Sequence, residues 1–156
     1  MRSKIKSLSN ESEQVKDTAR RICGDDGIKI AKQHLALKQK FNRITLPESI
    51  TYIILEELRV DFIYQAEAFG GRVIRGGQVP DFMIPNLQMV LRIQGDYWHS
   101  RRAQRERDVL DKIALLSAEI EGRPIRFVID VWESRLLDCN RKKVIEMALR
   151  GQEVGK

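Results

Sequence analysis

Residues 125–132 are an almost wholly apolar run near the end of the chain, and they constrain the fold more than any other stretch. Such a run reads as a strand buried on both faces, and such strands pair in parallel after a crossover helix. The helix precedes it: residues 105–121 carry Val109, Ile113, Leu116 and Ile120 on one stripe, with Gly122 where a C-cap belongs. Before that helix, residues 61–66, 80–85 and 89–94 read as strands, the last two joined into a hairpin at Asn86. An earlier helix opens at Thr45-Leu46-Pro47-Glu48 and runs through Ile50, Ile53, Ile54, Leu55 and Leu58. Thr45 and Glu48 have capping-box spacing, and Pro47 is tolerated only in a first turn. A last helix spans 140–150. The order helix, three strands, helix, strand, helix predicts an α/β sandwich with a mixed β-sheet flanked by helices.

The first 44 residues form a basic, helical N-terminal extension to the domain at 45–151, and 152–156 are a tail. Ser9 or Asn10 can cap a helix with Val15, Ala19, Ile22 and Cys23 on one face, and Gly24-Asp25-Asp26-Gly27 breaks it. A second helix follows with Ile28, Ile30, Ala31, Leu35 and Leu37. The pair reads as an appendage packed on the main domain in preference to a helix-turn-helix element. The net charge of +6 lies wholly here, since residues 1–43 hold 11 Lys+Arg against 5 Asp+Glu. A basic arm that includes Lys4 and Lys6 suits a polyanion partner, and it equally suits plain solubility. Cys23 and Cys139 have neither CxxC spacing nor neighbouring histidines, so they read as free buried thiols in a reducing, cytoplasmic setting. No apolar run approaches the roughly 20 residues of a membrane span, and no signal peptide is evident.

Four polar residues sit where the apolar pattern should continue. Asp81 opens a strand after Pro80, His99 follows a strand, Asp108 lies one turn into the long helix, and Glu48 begins an earlier one. Singly, each has a plain structural explanation: a capping box for Glu48, the helix dipole for Asp108, a turn for Asp81, the surface for His99. Together they match what a hydrolase acting on phosphodiesters needs. Mg²⁺ takes one or two carboxylates plus substrate oxygens, and a histidine oriented by a further carboxylate accepts a proton from water.

The stretches Thr45-Leu46-Pro47-Glu48, Val79-Pro80-Asp81-Phe82, Gly95-Asp96-Tyr97-Trp98-His99, Glu106-Arg107-Asp108 with Asp111, and Val131-Trp132-Glu133 resemble, in order, those of the very-short-patch-repair (Vsr) endonucleases. These are a branch of the PD-(D/E)XK, restriction-endonuclease-like superfamily, and the similarity covers about three-fifths of the chain, residues 45–137. The resemblance implies that Asp81 and the main-chain carbonyl of Ile93 bind Mg²⁺, with Mn²⁺ as a substitute. It implies that His99 activates the nucleophilic water, that Asp108 supports it, and that Glu48 is the acid on the first helix. Tyr97 and Trp98 match aromatics that enter the DNA stack, with core packing as the alternative for both. Arg101 and Arg102 follow as DNA contacts.

Two departures matter. Arg92-Ile93-Gln94-Gly95 lacks the superfamily's Glu-x-Lys, which favours the histidine-using branch. The family's structural zinc positions fall at Asp96, Arg101, Ala103 and Ser134, so no zinc is expected and a homing-type role gains over mismatch repair. The expected activity is Mg²⁺-dependent cleavage or nicking of double-stranded DNA, leaving a 5′-phosphate. The alternatives are a non-catalytic DNA-binding or assembly protein that retains the fold, and an RNA-directed nuclease.

Overall fold

The capping box at Thr45 forms as its spacing predicts. In the computed structural model, which describes residues 12–64, 81–95 and 102–155 (of 102–104 the backbone only), the Thr45 hydroxyl accepts the Glu48 N–H and the Glu48 carboxylate accepts the Thr45 N–H. This helix, Leu46–Glu57, is α3. It follows α1 (Glu13–Arg20), capped by Ser12 instead of Ser9 or Asn10, and α2 (Gly27–Lys40).

The sheet contains β1 (Ile63–Tyr64), β2 (Phe82–Ile84), β3 (Met89–Gln94) and β6 (Phe127–Trp132), in that spatial order. β2 and β3 are the predicted hairpin, antiparallel with Phe82 opposite Leu91. Its turn is a single 3₁₀ turn at Pro85–Leu87, closed by Gln88 at a left-handed φ of 51°. β3 and β6 run parallel from Met89↔Phe127 to Gln94↔Trp132, with α4 (Arg102–Leu116) as the crossover. The chain is therefore mixed α/β, with a small mixed sheet flanked by helices. No helix among the described residues is long and apolar enough to cross a membrane.

The long helix differs from expectation in length and in facing. It stops at Leu116, and residues 117–124 make a small hairpin of β4 (Glu119–Ile120) and β5 (Arg123–Pro124). Glu121 and Gly122 form its two-residue loop with φ of 52° and 78°, the paired positive values that match strand twist in a tight hairpin. Gly122 is thus a turn residue and not a helix cap. Leu115 and Asp111 face the body, while Val109, Ile113 and Leu116 of the expected core stripe are 58%, 56% and 42% exposed. The Arg92 guanidinium donates to the Asp108 carbonyl at 3.1 Å and ties the helix to β3.

Side-chain alternation gives the sheet two unlike faces. Phe82, Ile84, Met89, Leu91, Ile129 and Val131 point to a large core shared with α3, α5 (Glu133–Leu137) and α6 (Arg141–Leu149). Met83, Val90 and Val128 point the other way, onto Leu115, Ile120 and Ile125. At the C-terminal ends of β3 and β6 this second face turns polar. Arg92 grips Asp130 with two bonds of 2.6 and 2.9 Å, and Gln94 donates to the same carboxylate at 3.0 Å. Contrary to expectation, the β6 strand is therefore not buried on both faces throughout: Phe127 is exposed, and Asp130 and Trp132 are half-buried.

The N-terminal segment 13–40 shares the main core through Ile22, in the turn between its helices, and Ile30. Cys23 and Cys139 are disulfide-bonded and exposed, which corrects the expectation of free buried thiols. The inference to a reducing compartment loses that support. Beside the disulfide, buried Arg141 donates to the Leu136 carbonyl at 3.0 Å, to the Cys23 carbonyl and to Asp26. The backbone N–H of Cys23 reaches the Leu137 carbonyl at 2.9 Å.

Candidate active site

Asp81 sits just before the first residue of β2, one step beyond the last β2–β3 rung. Past that rung the β3 backbone has no β2 partner, and the Asp81 Oδ2 takes the Ile93 N–H at 2.7 Å. Burial raises the Asp81 carboxyl from its ordinary value to about 7. The Ile93 hydrogen bond and the Arg92 charge pull it down, and the negative charges of Glu48 and Asp130 push it further up. A carboxyl held this high by burial and by other carboxylates marks a place where a cation would be welcome.

Glu48 is 7% exposed and does close its capping box. Its Oε1 also accepts the Thr45 hydroxyl at 2.7 Å, and its Oε2 accepts the Tyr64 hydroxyl at 2.6 Å. The side chain is thus fixed by both the helix start and the edge strand, within electrostatic reach of Asp81. Asp108 is half-buried on α4, its carbonyl bound to Arg92 at 3.1 Å. Asp81 and Glu48 come together, and Asp108 is connected to their neighbourhood through Arg92.

His99, Tyr97, Trp98, Arg101, Lys4 and Lys6 lie outside the described residues, as does the side chain of Arg102. Of the positions considered for zinc, Ser134 is exposed on α5, and the others fall outside the described side chains. Among the described residues the one grouping close enough to suggest a metal is Cys23, Asp138 and Cys139, and its two sulfurs are spent in the disulfide.

A cavity of about 660 Å³ adjoins Glu48, bounded by Ile93 and Gly95 at the end of β3 and by Glu133. Its other walls come from the N-terminal segment: Arg21, His34, Lys38 and Arg43. A hollow of about 730 Å³ beside Phe41, Tyr52 and Phe62 is larger, but neither Asp81 nor Ile93 lines it. His34 is 6% exposed, and its Nδ1 lies 2.5 Å from the Ser49 hydroxyl. Burial, then the Lys38 and Arg21 charges, lower its pKa and keep the ring neutral. Sequence patterns did not single out His34, although it stands four residues after Ile30 on the buried stripe of α2, an unusual place for an ionisable group. Nor did they single out Arg92 and Asp130, whose opposite charges share one rung of the parallel pair.

Comparison of the chain with protein-family profiles, curated proteins and solved structures finds no match.

Proposed function

We propose that this chain is a Mg²⁺-dependent DNA endonuclease of the Vsr-like, PD-(D/E)XK type. The observation that carries the reading is Asp81: a half-buried carboxylate at a strand end, oriented by the Ile93 N–H and within electrostatic reach of Glu48. Its oxygen donors fit a hard cation, and its raised pKa comes first from desolvation and then from the neighbouring carboxylates, both of which a bound cation would offset. The order helix, three antiparallel strands, helix, parallel strand is compatible with a PD-(D/E)XK core.

Within this reading each of these residues has a role. Ile93 aims the Asp81 carboxylate, and Tyr64 with Thr45 fixes Glu48. Arg92, bound to Asp130 and to α4, locks the end of β3 against the helix bearing Asp108. When bound there, Mg²⁺ would supply charge neutralisation at the phosphate and lower the pKa of a coordinated water. His99 is the proposed proton acceptor, with Asp108 as its support, and Tyr97, Trp98, Arg101 and Arg102 are proposed DNA contacts. A substrate of cellular DNA would put such an enzyme in the cytoplasm.

Supercoiled plasmid decides the matter. The wild type should relax or linearise it only with Mg²⁺ or Mn²⁺, and Asp81→Asn should abolish both cleavage and calorimetric Mn²⁺ binding while keeping the fold. His99→Ala should slow single-turnover cleavage by about 10²–10⁴-fold with DNA affinity little changed. A wild type that binds DNA without cutting it would leave a non-catalytic binding protein.

A further inference from the structure

The cavity beside Glu48 has a charge layout that the catalytic groups leave unexplained. Arg21 comes from the turn after α1, Lys38 from the last turn of α2, and Arg43 from the link into α3. Three cations from three separate segments converge on one hollow, and two of them, Lys38 and Arg21, add to burial in lowering the pKa of His34. Arg21 meets Glu133 at 3.5 Å, whereas Lys38 and Arg43, both exposed, have no ion-pair partner among the described residues. The carboxylates in the lining are already engaged: Glu48 by Thr45 and Tyr64, Glu133 by Arg21. The surplus is positive, and it borders the backbone of Ile93 that orients Asp81.

We infer that this cavity seats a backbone phosphate of the DNA strand beside the one being cut, with Lys38 and Arg43 as its principal contacts and Arg21 as a third. The inference rests on the nuclease reading for its choice of ligand. The volume falls in the range of about 300–1,000 Å³ usual for ligand pockets. Solvent-exposed, flexible cations suit a polyanion bound by counterion release, whereas a small enclosed anion would call for buried donors. A strand lying against Asp81 passes the mouth of this hollow, because Glu48 and Ile93 line it. The N-terminal helices then form one wall of the substrate groove, held there by the shared core and the Cys23–Cys139 bond.

The test is binding of duplex DNA by fluorescence anisotropy in Ca²⁺ buffer across a salt series. It compares the wild type, Lys38→Ala/Arg43→Ala, and Lys142→Ala/Lys143→Ala, two exposed lysines of α6 outside the cavity. The cavity pair should flatten the slope of log K against log salt by roughly 0.9, the value for one lost phosphate contact, and weaken binding at least tenfold near 0.1 M salt. The α6 pair should change the slope by less than half as much. Lys38→Arg/Arg43→Lys keeps both charges and should restore the slope, which separates lost contacts from a disturbed fold. Equal losses for the two alanine pairs, or no loss for the cavity pair, overturn the assignment. Plasmid cleavage is read separately: a wild type that binds with this salt signature but never cuts retires the nuclease reading and leaves the phosphate seat standing.

Discussion

The two faces of the sheet are built on different principles. Toward α3, α5 and α6, residues of β2, β3 and β6 alternate into an uninterrupted apolar layer, and the N-terminal helices extend it. Toward α4 the apolar layer is short, and from Arg92 and Asp130 onward it becomes a hydrogen-bonded polar network. The helix over that side leaves Val109, Leu110, Ile113 and Leu116 exposed among the described residues. One face stabilises the fold through burial. The other holds the strand ends that carry Ile93, beside which Asp81 lies, so rigidity there comes from directional bonds with little apolar area.

The sharpest way to break this contrast is a large-to-small change in each layer. Leu55→Ala, in the fully buried α3 layer, should cost about 3–4 kcal/mol in urea unfolding. Asp130→Ala should cost somewhat less, about 2–3 kcal/mol, because it strands the 7%-exposed Arg92 side chain while Asp130 itself is 21% exposed. If Asp130→Ala is silent, the polar network is ornamental and the contrast between the faces fails.

The pH dependence of stability should separate two groups by sign. Asp81 has a folded pKa of about 7 against 3.8 unfolded, so its folded form holds the proton more tightly. Its contribution is complete below about pH 4 and is lost as pH rises through about 7, so the metal-free protein should lose stability across that window. Saturating Mg²⁺ should reverse the trend, because the ion binds the deprotonated carboxylate. His34 has the opposite sense: its folded pKa lies below 6.5, so its contribution is present above about pH 6.5 and falls away as pH drops through the folded value. Thermal melts of Asp81→Asn and His34→Gln over pH 4–8 should each remove one limb. A metal-free profile unchanged by Asp81→Asn would deny this carboxyl its role.

The smallest effect is expected at Ile113. At 56% exposure, Ile113→Ser should shift unfolding by no more than about 0.5 kcal/mol, whereas a core residue of that type would cost several times as much. A loss of about 2 kcal/mol or more would mean that this face of α4 is covered in solution.

Periodicity and turn chemistry are local, and what depends on them was legible from the sequence. The capping box at Thr45, the β2–β3 hairpin, the parallel partner of β3 and the last helix all stand where the residue patterns put them. The small hairpin at Glu121-Gly122 is within reach of the same rules once its X-Gly pair is weighed as a tight turn instead of a helix end. Asp81 and Glu48 could be singled out as candidates because they interrupt apolar patterns. What they experience could not, because the pKa of Asp81 depends on Ile93, Glu48 and Asp130, residues 12, 33 and 49 positions away in a chain whose register had first to form.

The remaining features belong to tertiary structure for the same reason. Pairing of Cys23 with Cys139 spans 116 residues and needs the α1–α2 turn beside the start of α6. The facing of α4 goes with tertiary contacts, Leu115 against the sheet and Arg92 on the Asp108 carbonyl, which no helical stripe can anticipate. The cationic cavity exists only because segments around residues 21, 38, 43, 93 and 133 meet in space. A sequence specifies which groups a chain carries and which local turns it prefers; charge, burial and desolvation act between groups brought together by the whole fold.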